Sequence, residues 1–269
     1  MAVTLEFEKK PKAILSLLDS WVMIKRSSTH ILRNTDQLLG TFFQPIMFLV
    51  LFAAVFGGAI EKALPVGISY LDYLMAGIIV QTVAFGSTTT AIAVCNDLQK
   101  GIVDRFRSLP MSNLAVLNGH VVSDLLRNTI STVVMIITGL VIGFRSGASF
   151  TDWLMIAGIL LLFTFAFSWL AAIVGVVAKS VEAVQWLTFV IIFPLTFASS
   201  AFVPTDSMPA GLKVFAENQP ITQVVNAVRA LILEQPIGSA GWLAVAWSIG
   251  ILVVAVPLAA WLFKRKAAA

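Results

Sequence analysis

The chain has 269 residues, 58% of them hydrophobic and 12% charged, with a mean hydropathy of +0.92. Soluble domains carry ~25% charged residues, so a globule with a polar shell is excluded, and the apolar excess excludes a disordered chain. The net charge of +4 comes from 18 Lys and Arg against 14 Asp and Glu, and the single cysteine, Cys95, excludes a disulfide scaffold. What remains is a polytopic membrane protein, and the modest basic excess is no nucleic-acid signal.

The first 37 residues precede any span. Glu6, Glu8, Lys9 and Lys10 stand before the first apolar stretch and no small-residue cleavage site follows a short apolar core, so the start does not read as a signal peptide. Residues 12–27 are amphipathic at helical spacing: Ile14, Leu17, Leu18, Trp21, Val22 and Ile24 fall on one side, Lys12, Ser16, Asp19, Ser20 and Arg26 opposite. An interfacial helix anchored by Trp21 is expected there, with Asn34, Thr35 and Asp36 as cap chemistry before the first span.

A bilayer core ~30 Å thick needs ~20 apolar residues per helix. Six runs qualify, near residues 38–60, 71–95, 121–144, 153–178, 183–203 and 241–263. They are continuously apolar and lack the ~10-residue alternation of barrel strands. The expected fold class is an all-α polytopic membrane protein: a six-span transmembrane domain over 38–263 and a tail at 264–269. With a cytoplasmic N-terminus, one side holds Lys9, Lys10, Lys12, Lys25, Arg26, Arg33, Lys100, Arg105, Arg107, Arg127, Lys179, Lys264, Arg265 and Lys266, and the other only Lys62, Arg145, Lys213 and Arg229. The positive-inside rule then puts both termini in the cytoplasm.

Two segments between spans stand out. Over residues 97–109, Leu98, Ile102, Phe106 and Leu109 share one helical face and Asp97, Lys100, Asp104 and Arg107 the other, until Pro110 stops the helix. This two-faced helix reads either as a solvated loop or as a docking element for a cytoplasmic partner. Over 204–240, Pro204, Pro209, Pro220 and Pro236 punctuate the longest outer segment. After Pro220, which suits a first helical turn with Asn218 or Gln219 at the cap, Ile221, Val224, Val225, Val228, Leu231 and Ile232 form an apolar stripe. The helix is ~14 residues, or ~21 Å, too short to cross, and reads as interfacial or re-entrant.

Catalytic chemistry is missing from the sequence. No Gly-x-x-x-x-Gly-Lys-Ser/Thr loop occurs, His30 and His120 lack partners at metal-ligand spacing, and no Gly-x-Ser-x-Gly elbow is present. Asp72, Asp97, Asp124, Asp152 and Glu182 all read as sitting near span edges, with Asp124 and Arg127 able to pair three residues apart. Neutral polar groups do enter the spans: Gln44 beside Pro45, Gln81 with Thr82 and Ser87 to Thr90, and Gln185, Thr196, Ser199 and Ser200 around Pro194. They serve helix packing or line a pathway, to which Phe42, Phe43, Phe48, Phe85, Phe189, Phe193 and Phe197 would add apolar contact.

Three stretches carry a family likeness: Gly101-Ile102-Val103-Asp104-Arg105-Phe106-Arg107-Ser108-Leu109-Pro110-Met111-Ser112, then Ala201-Phe202-Val203-Pro204-Thr205-Asp206-Ser207-Met208-Pro209, then Asn218-Gln219-Pro220-Ile221-Thr222 followed by Ala227-Val228-Arg229-Ala230-Leu231. On these, and on the order of its elements, the chain resembles the permease subunits of ABC type 2 exporters, in particular their daunorubicin-resistance branch. The resemblance implies a pair of permease subunits in the bacterial plasma membrane, twelve spans in all, over two copies of a separate P-loop ATPase that binds ATP and Mg. This chain itself would hold no cofactor and catalyse nothing. Residues 97–109 become a coupling helix, with Leu98, Ile102, Asp104, Arg105, Phe106, Arg107 and Leu109 as contacts and Lys179 and Glu182 as a second, smaller one. Spans 1, 2 and 5 would surround the pathway, making Gln44, Phe48, Gln81, Phe193 and Thr196 the expected lining, and Pro204, Pro220 and Arg229 would belong to the outer gate. The implied cargo is a drug-like or lipophilic amphipath. A lipid-linked glycan permease and a stand-alone ion-coupled carrier are the competing readings.

Overall fold

The computed structural model describes residues 35–65, 67–101 and 113–268. The interfacial helix expected over 12–27 and most of the helix expected over 97–109 lie outside them. Among the described residues the chain is nine α-helices with two short 3-10 turns and no strand. The helices are α1 Thr35–Ile60, α2 Tyr70–Gly86, α3 Thr88–Gln99, α4 Asn113–Ile142, α5 Phe150–Val177, α6 Val181–Phe197, α7 Ala210–Asn218, α8 Pro220–Ile232 and α9 Gly238–Ala268.

Five stretches are long and apolar enough to cross a bilayer: Phe43–Ile60, Tyr70–Gln99 (α2 and α3 end to end), Val116–Ile142, Phe150–Val177 and Gly238–Lys266. α6 is apolar but has 17 residues, which gives ~26 Å of helix at ~1.5 Å per residue. It falls short of the full span expected over 183–203, because Ala198 leaves the helix and residues 198–203 run as turns.

The local chemistry sets the ends of these helices. Ser69 caps α2, accepting from the Asp72 amide at 3.1 Å and donating to its carboxylate at 2.6 Å. Ser149 and Asp152 form a reciprocal capping box on α5, and Ser180 caps α6 through the Ala183 amide. Gln219 is the cap of α8, accepting from Ile221, with Pro220 in the first turn where its missing N–H costs nothing. Two ends of the bundle result. A basic end gathers Lys100, Lys179 and Lys264 to Lys266, and a proline-rich end gathers Ser69, the Gly143–Ser149 connection and residues 198–237.

α2 lies at the centre and is almost wholly buried. α5 packs against α9 and α3, while α8 is wedged between α9, α2 and α5. Close approaches fall where Cβ is absent: a Cβ on Gly77 would come within 2.0 Å of the Ala201 carbonyl oxygen, and one on Gly175 within 2.4 Å of that of Ala91. Small residues that let backbones touch are what hold helices together once lipid has removed the hydrophobic drive. The apolar stripe of α8 is buried as its spacing predicts, and Thr222 and Arg229 on its other side are buried as well.

Candidate functional site

At the basic end the structure knits four helix ends into one unit. The Gln99 side chain, the last residue of α3, donates to the Lys179 carbonyl at 2.8 Å. Lys266 of α9 donates to the carbonyls of Val176 at 2.5 Å and Ala178 at 3.1 Å, placing a cation on the carboxyl end of α5, where the helix dipole favours it. His120 of α4 pairs with Asp97 of α3 at 2.9 Å. Leu98 tucks partly into the apolar cluster of Val94, Leu117 and Phe263. Lys179 and Glu182 stand exposed on the α5–α6 turn, beside the root of the segment that begins at Gly101. The other expected contacts, Ile102, Asp104, Arg105, Phe106, Arg107 and Leu109, lie outside the described residues. Gln99, Lys266 and the His120–Asp97 pair escaped sequence reasoning, because a lone polar residue at a helix end carries no signal of its partner.

Along one side of the molecule runs a continuous file of aromatic rings. Trp186 meets Phe189 edge-on at 6.4 Å, Phe189 meets Phe193 at 4.9 Å, and Phe193 stacks on Phe197 at 4.2 Å. From there Phe202 bridges Phe197 at 4.8 Å to Phe52 of α1 at 4.7 Å, and Phe52 touches Phe48 and Phe56. Spacing of three or four residues on α6 puts its rings on one face; the crossing to α1 is tertiary and has no sequence signal. Exposure falls along the file, from 70% at Trp186 to 3% at Phe202. Of the expected lining residues, Phe48 and Phe193 belong to this file and Gln44 is exposed one helical turn from Phe48. Thr196 is buried and donates to the Ile192 and Phe193 carbonyls of its own helix. Gln81 is buried in the bundle, its amide without a partner among the described residues.

The proline-rich end is held by Arg229. Its guanidinium donates to the Tyr73 carbonyl at 3.1 Å, the Ser200 carbonyl at 2.7 Å and the Asn226 side chain at 3.2 Å, and lies 3.6 Å over the Tyr73 ring. Tyr73 and Tyr70 donate to the Ser200 and Phe202 carbonyls, each at 3.1 Å. One planar cation thus fastens α8 to the start of α2 and to the turn after α6. Pro204 opens the 3-10 turn Thr205–Ser207, and Pro220 opens α8. Outside this knot, Lys213 bonds Asp206 at 2.6 Å on the exposed α7, and that contact raises its pKa.

Asp124 and Arg127 do pair, as their spacing allows, but inside the bundle. Both are buried, at 1% and 4% exposure. The span was expected to begin at residue 121, yet α4 starts at Asn113, which carries the pair into the bundle.

This is an all-helical membrane protein with a knitted basic end, an aromatic-faced side and a cation-locked far end. Residues 19–233 match the ABC-2 type transporter family, and the chain belongs to it. It is 31% identical over 234 residues to the daunorubicin resistance ABC transporter permease protein DrrB1 of Streptomyces coeruleorubidus, covering 86% of this chain and 80% of that one. It is 27% identical over 261 residues to a protein of Mycobacterium tuberculosis named "Probable doxorubicin resistance ABC transporter permease protein DrrC", across 92% of this chain and 89% of that one. A doxorubicin resistance ABC transporter permease protein, DrrB, of the same organism is 29% identical over 224 residues, 78% of this chain and 74% of its own.

Proposed function

We propose that the chain is the membrane permease of an ATP-driven exporter that moves lipophilic, aromatic-bearing amphipaths out of the cytoplasm or inner leaflet. Family membership with drug-resistance permeases along nearly the whole chain carries this reading. The aromatic file supports it, since flat apolar molecules exchange stacking partners along such a row at little cost. In this reading the bacterial plasma membrane holds the chain with both termini inside and the basic end toward the cytoplasm. α6 serves as the fifth of six spans, and α7 and α8 are the outer re-entrant elements.

The partner is a P-loop ATPase in two copies, binding Mg and ATP, beneath two permease copies. Residues 97–109 dock on it, with the Lys179–Glu182 turn as a second contact joined to the first through Gln99. Gln44, Phe48, Gln81, Phe193 and Thr196 border the pathway, and Pro204, Pro220 and Arg229 its outer gate. Allosteric drive of this kind needs a two-state element that both sites bias, and the meeting of the two permease copies supplies one.

The test is ATP-dependent accumulation of daunorubicin, followed by its fluorescence, in inverted vesicles carrying this chain and its ATPase. Accumulation should stop when the ATPase is made hydrolysis-dead. Uptake that persists without ATP hydrolysis would move the chain to the stand-alone carriers.

A further inference from the structure

Among the described residues the apolar interior is divided into three clusters. Toward the proline-rich end, Leu74, Ile78 and Val83 of α2 share one cluster with Met135, Phe163 and Val224. Toward the basic end, Val94 of α3 joins a second with Leu117, Trp169 and Phe263, and Ala91 and Cys95 join a third. α2 thus packs in one core and α3 in the others, and the boundary falls at their junction, Gly86–Ser87.

That boundary is polar and buried. A Cβ on Gly139 would meet the Met75 side chain and one on Gly86 the Asn128 side chain, so α4 runs antiparallel to α2 in a register that brings Asp124 level with Thr90. Arg127 donates to the Gly86 carbonyl at 2.8 Å and Thr89 to the same oxygen at 2.9 Å. The Thr90 amide turns back to Ser87 at 3.0 Å, which leaves the Gly86 carbonyl to those side chains. Asp124 pairs with Arg127, accepts from Ser168 of α5 and lies 3.4 Å from the Thr89 hydroxyl. The cation therefore sits at the carboxyl end of α2 and the anion at the amino end of α3, each where the helix dipole favours it. Around them both amide atoms of Asn128, the Thr90 hydroxyl and Arg127 Nε are buried with no partner among the described residues.

We propose that this boundary is a water-binding site and that its water makes the Gly86–Ser87 break a pivot for α3. A buried water needs two to four polar partners, and the Asn128 amide, the Thr90 hydroxyl and Arg127 Nε supply them within one helical turn of the break. Bonds bridged by water are nearly as favourable as direct ones, and a hinge at a boundary between packed clusters leaves the interdigitated side chains on either side in place. α2 is fixed at the far end by Arg229, Tyr70 and the Gly77–Ala201 contact. α3 is tied through Gln99 to the α5–α6 turn and leads into residues 102–112. The site stands on geometry alone; its use as a pivot rests on the coupling reading above.

Hydrogen exchange read by mass spectrometry on the full chain in lipid nanodiscs, alone and with its ATPase, tests both parts. Amides 86–91 should exchange roughly tenfold faster than those of 74–84, the contrast between a locally opening segment and a core helix. Asn128→Leu should abolish the difference. Nucleotide trapping of the complex should change the rate at 86–91 and the maleimide reactivity of Cys95, the only cysteine and a buried one. Protection at 86–91 equal to that of 74–84 in the wild type would mean a dry boundary and overturn the site. Fast exchange and Cys95 reactivity both indifferent to nucleotide would overturn the pivot. The chain alone still reports on the water site if no ATPase binds, so the two failures are separate.

Discussion

Gln99 donates its side-chain amide to the backbone carbonyl of Lys179 at 2.8 Å, which ties the root of the segment after α3 to the turn between α5 and α6. The two stretches proposed above to touch the ATPase, 80 residues apart in sequence, are thereby joined. Gln99→Ala removes the tie without burying anything, and costs about 1 kcal/mol of stability or less. The expected outcome is a complex that assembles normally and hydrolyses ATP but transports several-fold more slowly. Transport and hydrolysis measured on one preparation decide it; an unchanged ratio means that the two contacts act independently.

Arg229 should be the most costly single loss at the far end. It satisfies the Tyr73 and Ser200 carbonyls and the Asn226 side chain at once. Arg229→Ala takes a charge-assisted bond from each of them, leaving the Ser200 carbonyl only the Tyr73 hydroxyl and Asn226 only the Ser200 hydroxyl, for a cost of about 3 kcal/mol. Arg229→Lys should recover little, since one ammonium cannot make a planar fork or lie flat on the Tyr73 ring. Thermal unfolding in detergent should show both variants well below the wild type. A lysine variant with wild-type stability would reduce the role of Arg229 to charge alone.

Glycine close approach gives a second stability prediction. Gly175→Ala drives a methyl to within 2.4 Å of the Ala91 carbonyl oxygen, and backbone cannot move aside as a side chain can. Overpacking of this kind costs about 1–3 kcal/mol. The variant should melt earlier, while Gly158→Ala on the same helix, where nothing lies within 4 Å, should melt like the wild type or later.

Five of the six expected spans were legible because continuous apolar runs are the plainest pattern a sequence can show, and α8 was legible because Pro220 marks its start and the stripe that follows has helical spacing. The placement of charge was less legible. Hydropathy assigns every carboxylate to water, so Asp124 read as an edge residue, whereas α4 begins early enough to carry it inside with its own counter-ion. The break at Gly86–Ser87 was hidden for a related reason: both residues fit a helix, and what takes the Gly86 carbonyl out of the ladder is Arg127, 41 residues away. Half of the aromatic file could be read from the spacing of Phe189, Phe193 and Phe197, but its crossing through Phe202 to Phe52 depends on how α1 meets the turn after α6.

The file itself can be tested by selectivity. Phe193→Ala shortens the stacked row at a half-exposed position, so folding should change little. Transport of flat polycyclic substrates should fall by several-fold, and that of an aliphatic amphipath much less, because stacking is worth about 0.5–1.5 kcal/mol beyond simple contact. Phe193→Trp should keep the preference. Equal losses for both substrate types would make the row a lipid-facing surface.

The Asp124–Arg127 pair allows a sharper test, because its two halves should fail differently alone and together. Asp124→Asn leaves a buried guanidinium with one neutral partner and the Gly86 carbonyl; Arg127→Gln leaves a buried carboxylate held only by Ser168 and Thr89. Breaking a buried pair by removing one charge costs about 3–5 kcal/mol, while replacing both by neutral groups of similar size costs far less. The double variant should therefore be more stable than either single one, with an interaction free energy of about 1–3 kcal/mol in a double-mutant cycle. Unfolding midpoints of the four proteins in one detergent give that number. Strictly additive losses would show that each charge is held by its own neighbours and that the pair does not bind the two halves of span 2.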